Sequence, residues 1–265
     1  MTSSSVDITI PVLNEQRAIE STLSTLVSYL SAECPYDWRI TVVDNGSTDR
    51  TWLLASSFVA ADDRTRAIRL DRPGRGGALK EAWSTSSADV VAYMDVDLST
   101  GLESLRPLLE PIVQGETDIS IGSRLAPGAA TERSVQREVI SRIYNMIARR
   151  VLHYTVRDAQ CGFKAMRASV ARDLIPRIED DGWFFDTELL VLAWRDGLRI
   201  NEIPVHWVED DDSRVRIMET ALDDLRGIWR LWRAGRSGRS TPRRVLDNPD
   251  ASHGSKEEEA VDFDS

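Results

Sequence analysis

Four strand-length segments, three of them rich in apolar β-branched residues and each followed by a helix-length segment, set what this 265-residue chain can fold into. They are 7–13 (DITIPVL), 38–43 (WRITVV), 66–70 and Val90-Val91-Ala92-Tyr93-Met94. Short continuous apolar runs are what strands buried on both faces require. Between the first two, residues 15–32 place Ile19, Leu23, Leu26, Val27 and Leu30 on one helical stripe, with Asn14 or Glu15 opening the helix. A second helix is expected from about Thr51 to Ala60. A third, at 78–84, follows the loop Arg72-Pro73-Gly74-Arg75-Gly76-Gly77. This β-α-β-α alternation predicts a mostly parallel sheet with helices on both faces. Such sheets bind ligands beyond the carboxyl ends of their strands, and here the polar residues collect at those ends.

The fourth run leads into Asp95-Val96-Asp97-Leu98-Ser99-Thr100. On a continuing strand, residues two apart share a face, so both carboxylates are expected to point the same way. With no cationic neighbour in sequence they repel each other, and a divalent cation resolves the repulsion. The plain alternative makes Asp97 a helix cap and Asp95 a solvated strand end.

The second half changes character. A helix is expected at 104–113, a short strand at 117–121 and a flexible loop at 125–134. Residues 135–152 read as a helix with apolar Val139, Ile140, Ile143, Ile147 and Val151 beside Arg137, Arg142, Arg149 and Arg150. Further helices are expected at 168–175, from Trp183 onward and at 215–234, with a strand at 199–207. From about Gly235 the chain is Gly, Ser, Pro and charge, including Glu257-Glu258-Glu259, and reads as a disordered acidic tail beyond a domain at 1–234.

Composition excludes several classes. A net charge of −10 argues against nucleic-acid binding. Two cysteines, Cys34 and Cys161, give neither a disulfide framework nor zinc spacing, and fit a reducing compartment. The opening MTSSSVDITIPVLNE lacks the basic and apolar regions of a signal peptide. No run approaches the roughly 18 apolar residues that span a bilayer, so membrane contact is expected to be peripheral and the location cytoplasmic.

Six stretches in register resemble the inverting family-2 glycosyltransferases, and within them the polyprenyl (dolichyl) phosphate sugar synthases. They are Pro11-Val12-Leu13-Asn14-Glu15, Asp44-Asn45-Gly46-Ser47-Thr48-Asp49, Asp95-Val96-Asp97, Gly122-Ser123-Arg124, Arg157 to Lys164 (RDAQCGFK), and Trp183 to Glu188 (WFFDTE). The last three look most like the dolichyl-phosphate glucose branch. The resemblance implies a GT-A-type α/β nucleotide-sugar domain with C-terminal amphipathic helices facing a membrane. It implies transfer of a hexose, glucose before mannose, from a UDP- or GDP-sugar to polyprenyl phosphate with inversion. Alternatives on the same fold are a transferase acting on a glycan or small molecule, and an idle nucleotide-sugar sensor.

The resemblance also distributes roles. Pro11, Asn14, Glu15 and Asp44 fall to the base and ribose pocket. Arg75, Lys80, Asp95, Trp183, Asp186 and Glu188 complete the nucleotide-sugar set, Trp183 by stacking and the two acids by bonding sugar hydroxyls. Asp95 and Asp97 would hold Mg²⁺ or Mn²⁺, which neutralises a diphosphate leaving group. Ser99 stands where mannosyl relatives often carry Gln, which puts a third protein ligand in doubt. Asp97, Asp158 and Arg124 form the catalytic set. A lipid monophosphate is already largely dianionic, so the acceptor needs cationic clamps, and Arg124, Arg137, Ser141 and Arg142 match that pattern. Solvated helix faces explain Arg142, Arg149 and Arg150 as plainly, a helix N-terminus explains Asn14 and Glu15, and a helix start with a buried aromatic pair explains Trp183, Asp186 and Glu188. Residues 217–232 set Ile217, Met218, Ala221, Leu222, Leu225, Ile228, Trp229 and Trp232 on one stripe flanked by arginines. That suits a helix lying in a headgroup region. Packing on the core, or against a second subunit in a homodimer or a membrane-protein partner, suits it too.

Overall fold

The computed structural model describes residues 4–132, 135–208 and 217–236. A seven-stranded sheet runs β3-β2-β1-β4-β7-β5-β8. β1 (Ser5–Val12), β2 (Asp37–Asp44), β3 (Thr65–Arg69) and β4 (Val90–Met94) pair in parallel, as the β-α alternation predicts. Connecting them are α1 (Ile19–Glu33), α2 (Thr51–Val59) and α3 (Arg75–Thr85). Because β2 and β3 lie on one side of β1 and β4 on the other, the chain reverses direction across the sheet at β1 and β4. That crevice is the switch point where open α/β sheets bind ligands.

β7 (Phe163–Arg167) is the one strand here that runs against its neighbours, pairing antiparallel with β4 and with β5 (Ile119–Ser123). Its register sets Phe163 opposite Met94, so β7 begins at the edge where β4 ends. β8 (Ile200–Pro204) then pairs in parallel with β5. One edge of the sheet therefore gathers the segments leaving β1, β2, β4 and β5 together with the segment entering β7.

Apolar residues fill both faces. On one, Leu79 and Trp83 of α3 pack with Tyr93 and with Phe185 and Leu189 of α7 (Phe185–Arg195), beside α6 (Ala168–Leu174). On the other, Leu23 and Leu26 of α1 meet Leu108 of α4 (Leu105–Val113). A small parallel pair, β6 (Ala130–Glu132) with β9 (His206–Val208), closes one end. α5 (Val135–Leu152) packs against α8 (Ile217–Arg236).

Several expectations are corrected. The first helix begins at Ile19, not 15, because the Glu15 carbonyl accepts the Ala18 and Ile19 amides in a preceding turn. The third begins at Arg75, so half of the expected glycine loop is helix. A Cβ at Gly76 would lie 2.6 Å from the Phe185 Cβ, and the Gly77 amide donates to the Asp181 carbonyl (3.0 Å). Gly76 serves helix packing. The strand expected at 117–121 sits at Ile119–Ser123, and that at 199–207 breaks at Val205 into β8 and β9. The loop at 125–134 holds β6.

The two amphipathic helices bury other faces than their apolar stripes suggest. In α5, Asn145, Ala148 and Leu152 face the core while Val139, Ile140, Ile143, Met146 and Ile147 are exposed. In α8, Asp224, Ile228 and Leu231 are buried while Leu222, Leu225, Trp229 and Trp232 face outward. α8 extends to Arg236, and the tail from 237 lies outside the described residues.

Candidate active site

The loops after β1 and β2 are laced together. Asn14 adopts φ 58°, and its Oδ1 accepts the Thr48 and Asp49 amides (2.8 and 3.3 Å), while its own amide donates to Ser47 Oγ (2.8 Å). Asn14 thus joins two strand ends and does not cap its own helix. Asp44, fully buried at the end of β2, accepts the Ser47 amide at Oδ1 (3.1 Å). Its Oδ2 is buried without a hydrogen-bond partner, 3.5 Å from Arg69 Nε. Pro11 lies one register step before Asp44, opposite Val43, and the Glu15 side chain is half-buried nearby in sequence.

β4 stops at Met94, so Asp95 and Asp97 sit in a turn and not on a pleat: the Leu98 amide reaches the Asp95 carbonyl (3.3 Å) and Leu98 has φ 52°. Asp97 is exposed and one oxygen accepts the Ser99 amide (2.9 Å). Asp95 has a cationic neighbour that its sequence surroundings conceal: Arg75 Nη2 lies 2.8 Å from Oδ1. Crowding by protein raises the Asp95 carboxyl, Arg75 pulls it back, and Asp97 and Asp186 push it up again, leaving it above the usual range. Gly162 makes room for it, since a Cβ there would lie 1.8 Å from Asp95 Oδ2. Among the described residues no group of three or more His, Cys, Asp or Glu forms a metal cage. One or two carboxylates completed by substrate phosphates are the usual mode for Mg²⁺, and Asp95 with Asp97 fits it; the Ser99 hydroxyl beside them is buried and unpartnered.

Beneath this turn lies a buried charge network. The Arg75 guanidinium sits over the rings of Tyr93 (5.2 Å) and half-exposed Trp183 (4.9 Å), with Asp186 at 3.9 Å. Burial opposes its charge, but Asp95, Tyr93 and Asp186 hold it protonated. Lys164 of β7, wholly buried, pairs with Asp186 (2.8 Å) and donates to Tyr93 Oη (3.1 Å) and the Cys161 carbonyl (2.5 Å). Tyr93 donates in turn to Asp186. Burial pushes the Cys161 thiol up to about 12, so it is no nucleophile.

On the acceptor side, Arg124 follows β5 and grips buried Asp158 with Nε (2.7 Å), Nη2 (2.8 Å) and its backbone amide (3.0 Å). Burial works against the Asp158 charge, yet Arg124 outweighs it and holds the carboxyl below the usual range. Trp207 lies under the guanidinium (5.5 Å).

Several of the expected site residues are engaged by other protein groups in this structure. Asp186 is enclosed by Lys164, Tyr93 and Arg75, and Glu188 is held by both Nη atoms of Arg230 (3.1 and 2.7 Å), so neither stands open to a sugar. Lys80 is committed to the Ile178 carbonyl (2.9 Å) and Asp181. Arg142 pairs with Glu138 one turn earlier on an exposed face. Arg124 is engaged by Asp158 before any phosphate arrives. Ser141 lies in α5, its carbonyl accepting Asn145 Nδ2 (3.0 Å), and the Arg137 side chain lies outside the described residues. Lys164, Tyr93 and Asp224 carry contacts that sequence reading did not assign. The available signal was Lys164 inside the otherwise apolar run Phe163-Lys164-Ala165-Met166.

Residues 7–175 match the family model described as "Glycosyl transferase family 2". The chain is 38% identical over 232 residues to glycosyltransferase AglD of Haloferax volcanii, covering 85% of this chain and 37% of that protein. It thus spans little more than a third of that relative's length. It is 27% identical over 240 residues to the dolichyl-phosphate beta-glucosyltransferase of Saccharomyces cerevisiae, covering 83% of this chain and 71% of that one. Among solved structures, glucosyl-3-phosphoglycerate synthase from Mycobacterium tuberculosis in complex with UDP superposes with a TM-score of 0.64 at 20% identity, covering 86% of this chain and 80% of that one. The same enzyme with Mn²⁺, UDP and glucosyl-3-phosphoglycerate gives 0.58 at 21%, covering 89% and 80%. At such identities the likeness is one of fold.

Proposed function

The chain belongs to glycosyl transferase family 2, and from that premise we propose that it moves a hexose, glucose before mannose, from a nucleoside-diphosphate sugar to polyprenyl phosphate with inversion. The observation that carries the reading is the crevice between β1 and β4. A buried carboxylate oxygen at Asp44 lacks a donor at one lip, and Asp95 and Asp97 stand at the other. A base ring N–H satisfies the first, and a metal-bound diphosphate the second. Mg²⁺ or Mn²⁺ supplies Lewis-acid stabilisation of the leaving diphosphate. Arg75 keeps Asp95 aimed, and Gly162 lets it stand there. The dolichyl-phosphate transferases among the relatives support the lipid acceptor.

Among the described residues no helix is long and apolar enough to cross a membrane. The outward faces of α5 and α8, which pack on each other, supply the means of reaching a lipid: Ile143, Met146, Leu225 and Trp229 are each about half exposed. Interfacial Trp beside Arg suits shallow insertion. A donor panel with polyprenyl phosphate and Mn²⁺ or Mg²⁺, read by mass spectrometry, tests the reaction; no lipid phosphosugar with any donor overturns it. Flotation with anionic vesicles tests the membrane face. Wild-type protein is expected to float, and Trp229→Glu/Trp232→Glu to stay in solution while folded.

A further inference from the structure

Residues 158–162 carry two contacts on which the site's geometry turns, Asp158 with Arg124 and Gly162 against Asp95. Three elements hold the backbone of this loop. Asn145 of α5 accepts the Ala159 amide (3.0 Å), Glu202 of β8 accepts the Arg157 amide (2.8 Å), and Lys164 of β7 reaches the Cys161 carbonyl. A fourth tie comes from α8, beyond the stretch that matches the family model. Gln160 Nε2 donates to Asp224 Oδ2 at 2.9 Å. Asp224 is 4% exposed, and its Oδ1 is buried with no hydrogen-bond partner. One helical turn on, Gly227 lets α8 lie against Phe184, where a Cβ would fall 2.3 Å from Cδ1, and Arg230 grips Glu188.

We propose that Asp224 is a positioning residue for the transfer reaction: through Gln160 it fixes the 158–162 loop, so that the helix with the outward apolar face sets the alignment of Asp158 and Asp95. The proposal rests on the transferase reading above. Accepting one hydrogen bond from an amide does not require a buried carboxylate, because Asn does it without burying charge. Burial pushes the Asp224 carboxyl up, the Gln160 bond pulls it down, and Asp180, Asp223 and Asp186 raise it further, to about 6. The Tyr144 phenol of α5 also faces it. A carboxyl raised from 3.8 to about 6 favours the fold below its unfolded value, and that contribution is lost as pH rises through about 6. At neutral pH the ionised side chain therefore weakens the fold. What it supplies in return is a charge-assisted bond, shorter and stronger than a neutral one.

Asp224→Ala, Asp224→Asn and Gln160→Leu are to be compared with the wild type by turnover, melting and amide exchange at residues 159–162. Asp224→Ala and Gln160→Leu are expected to lower kcat about tenfold with donor KM within about twofold, and to lose amide protection in the loop. Asp224→Asn is expected to melt higher than wild type at pH 7.5 but not at pH 5, and to keep the loop protected. It should turn over several-fold more slowly at pH 7.5, with the ratio of wild-type to variant rate falling toward one as pH drops through about 6. Taking the ratio removes the acceptor phosphate's own titration. Unchanged kcat and unchanged exchange in the Ala and Leu variants overturn the proposal, as does an Asn variant with full kcat at every pH. If no protein forms product with any donor, the transferase reading fails, and exchange at 159–162 alone decides whether Asp224 holds the loop.

Discussion

Gly162→Ala asks whether Asp95 is held in place by shape. A Cβ at residue 162 would lie 1.8 Å from Asp95 Oδ2 and 2.5 Å from Arg75 Nη2. Gly162 is not in the left-handed region, so alanine adds no dihedral strain and the perturbation is steric. Ordinary contact begins at 3.4 Å, so the methyl and the carboxylate must part by 3.4 − 1.8 = 1.6 Å. Asp95 has little freedom to retreat, because its other oxygen is held by Arg75, itself flanked by Tyr93 and Trp183. A misplacement of about 1 Å near the reacting centre costs about 10²-fold in rate, or about 2.7 kcal/mol of barrier. Overpacking takes about 1–3 kcal/mol from the fold as well. Initial rates at saturating substrates with Mn²⁺, a melting curve and a calorimetric UDP titration without metal separate these effects. The expected result is kcat lower by about 10²-fold with metal-free UDP affinity within about threefold. Gly77→Ala is the control: its Cβ would meet only Asp181 Cβ at 3.8 Å, and it should gain about 0.5–1 kcal/mol of helix stability. A Gly162→Ala enzyme at wild-type rate, or equal losses in both variants, would refute the steric argument.

Chelation with EDTA is expected to abolish transfer, and Asp97→Asn to cut turnover by about 10³-fold with the fold intact; full activity in excess EDTA counts against the metal. Arg142→Ala should change stability by less than about 0.5 kcal/mol and leave the acceptor KM alone, because its ion pair with Glu138 is exposed; a raised KM would restore it to the acceptor clamp. Lys164→Met strips buried Asp186 of its ammonium and should cost about 3 kcal/mol, seen as a lowered melting temperature. Lys164→Met/Asp186→Leu should recover part of that loss, and a double variant less stable than the single one argues against a charge effect.

The parallel half of the sheet was legible because three of its four strands are rich in apolar β-branched residues and helix-length segments separate them. β7 was not. Its five residues include Lys164, a residue type that is almost never fully buried unless paired, and the partner, Asp186, lies 22 positions away, in a helix start that reads as sugar-binding. Asp95 and Asp97 were found by their types, yet the pleat argument for their orientation failed because β4 ends one residue before them. The same limit governs Asp158 and Arg124. Sequence assigns both to the site, and only the fold shows that each is the other's counter-ion. The exposed faces of α5 and α8 reverse the usual inference from periodicity: most of each apolar stripe points outward, while Asn145 and Asp224 point inward beside Val151 and Ile228. A stripe tells which residues share a face and not what that face meets.

The charges at the strand-end edge close among themselves. Arg124 pairs with Asp158, Lys164 with Asp186 and Arg75 with Asp95, three cations against three carboxylates. A nucleoside-diphosphate sugar and a lipid monophosphate together bring about four negative charges, the monophosphate being close to dianionic at neutral pH. Drawing Arg124 or Lys164 toward a phosphate leaves Asp158 or Asp186 uncompensated in a buried setting, a loss of about 3–5 kcal/mol. Exposed Asp97 adds one more negative charge on the same side. A divalent cation held by Asp95 and Asp97 and arriving with the diphosphate would supply compensation that these three paired cations do not. On that account metal and nucleotide are linked: whatever factor Mn²⁺ adds to UDP affinity, UDP must add to Mn²⁺ affinity. Asp97→Asn should shrink both factors together, whereas Asp44→Asn should weaken UDP binding and leave the linkage factor unchanged.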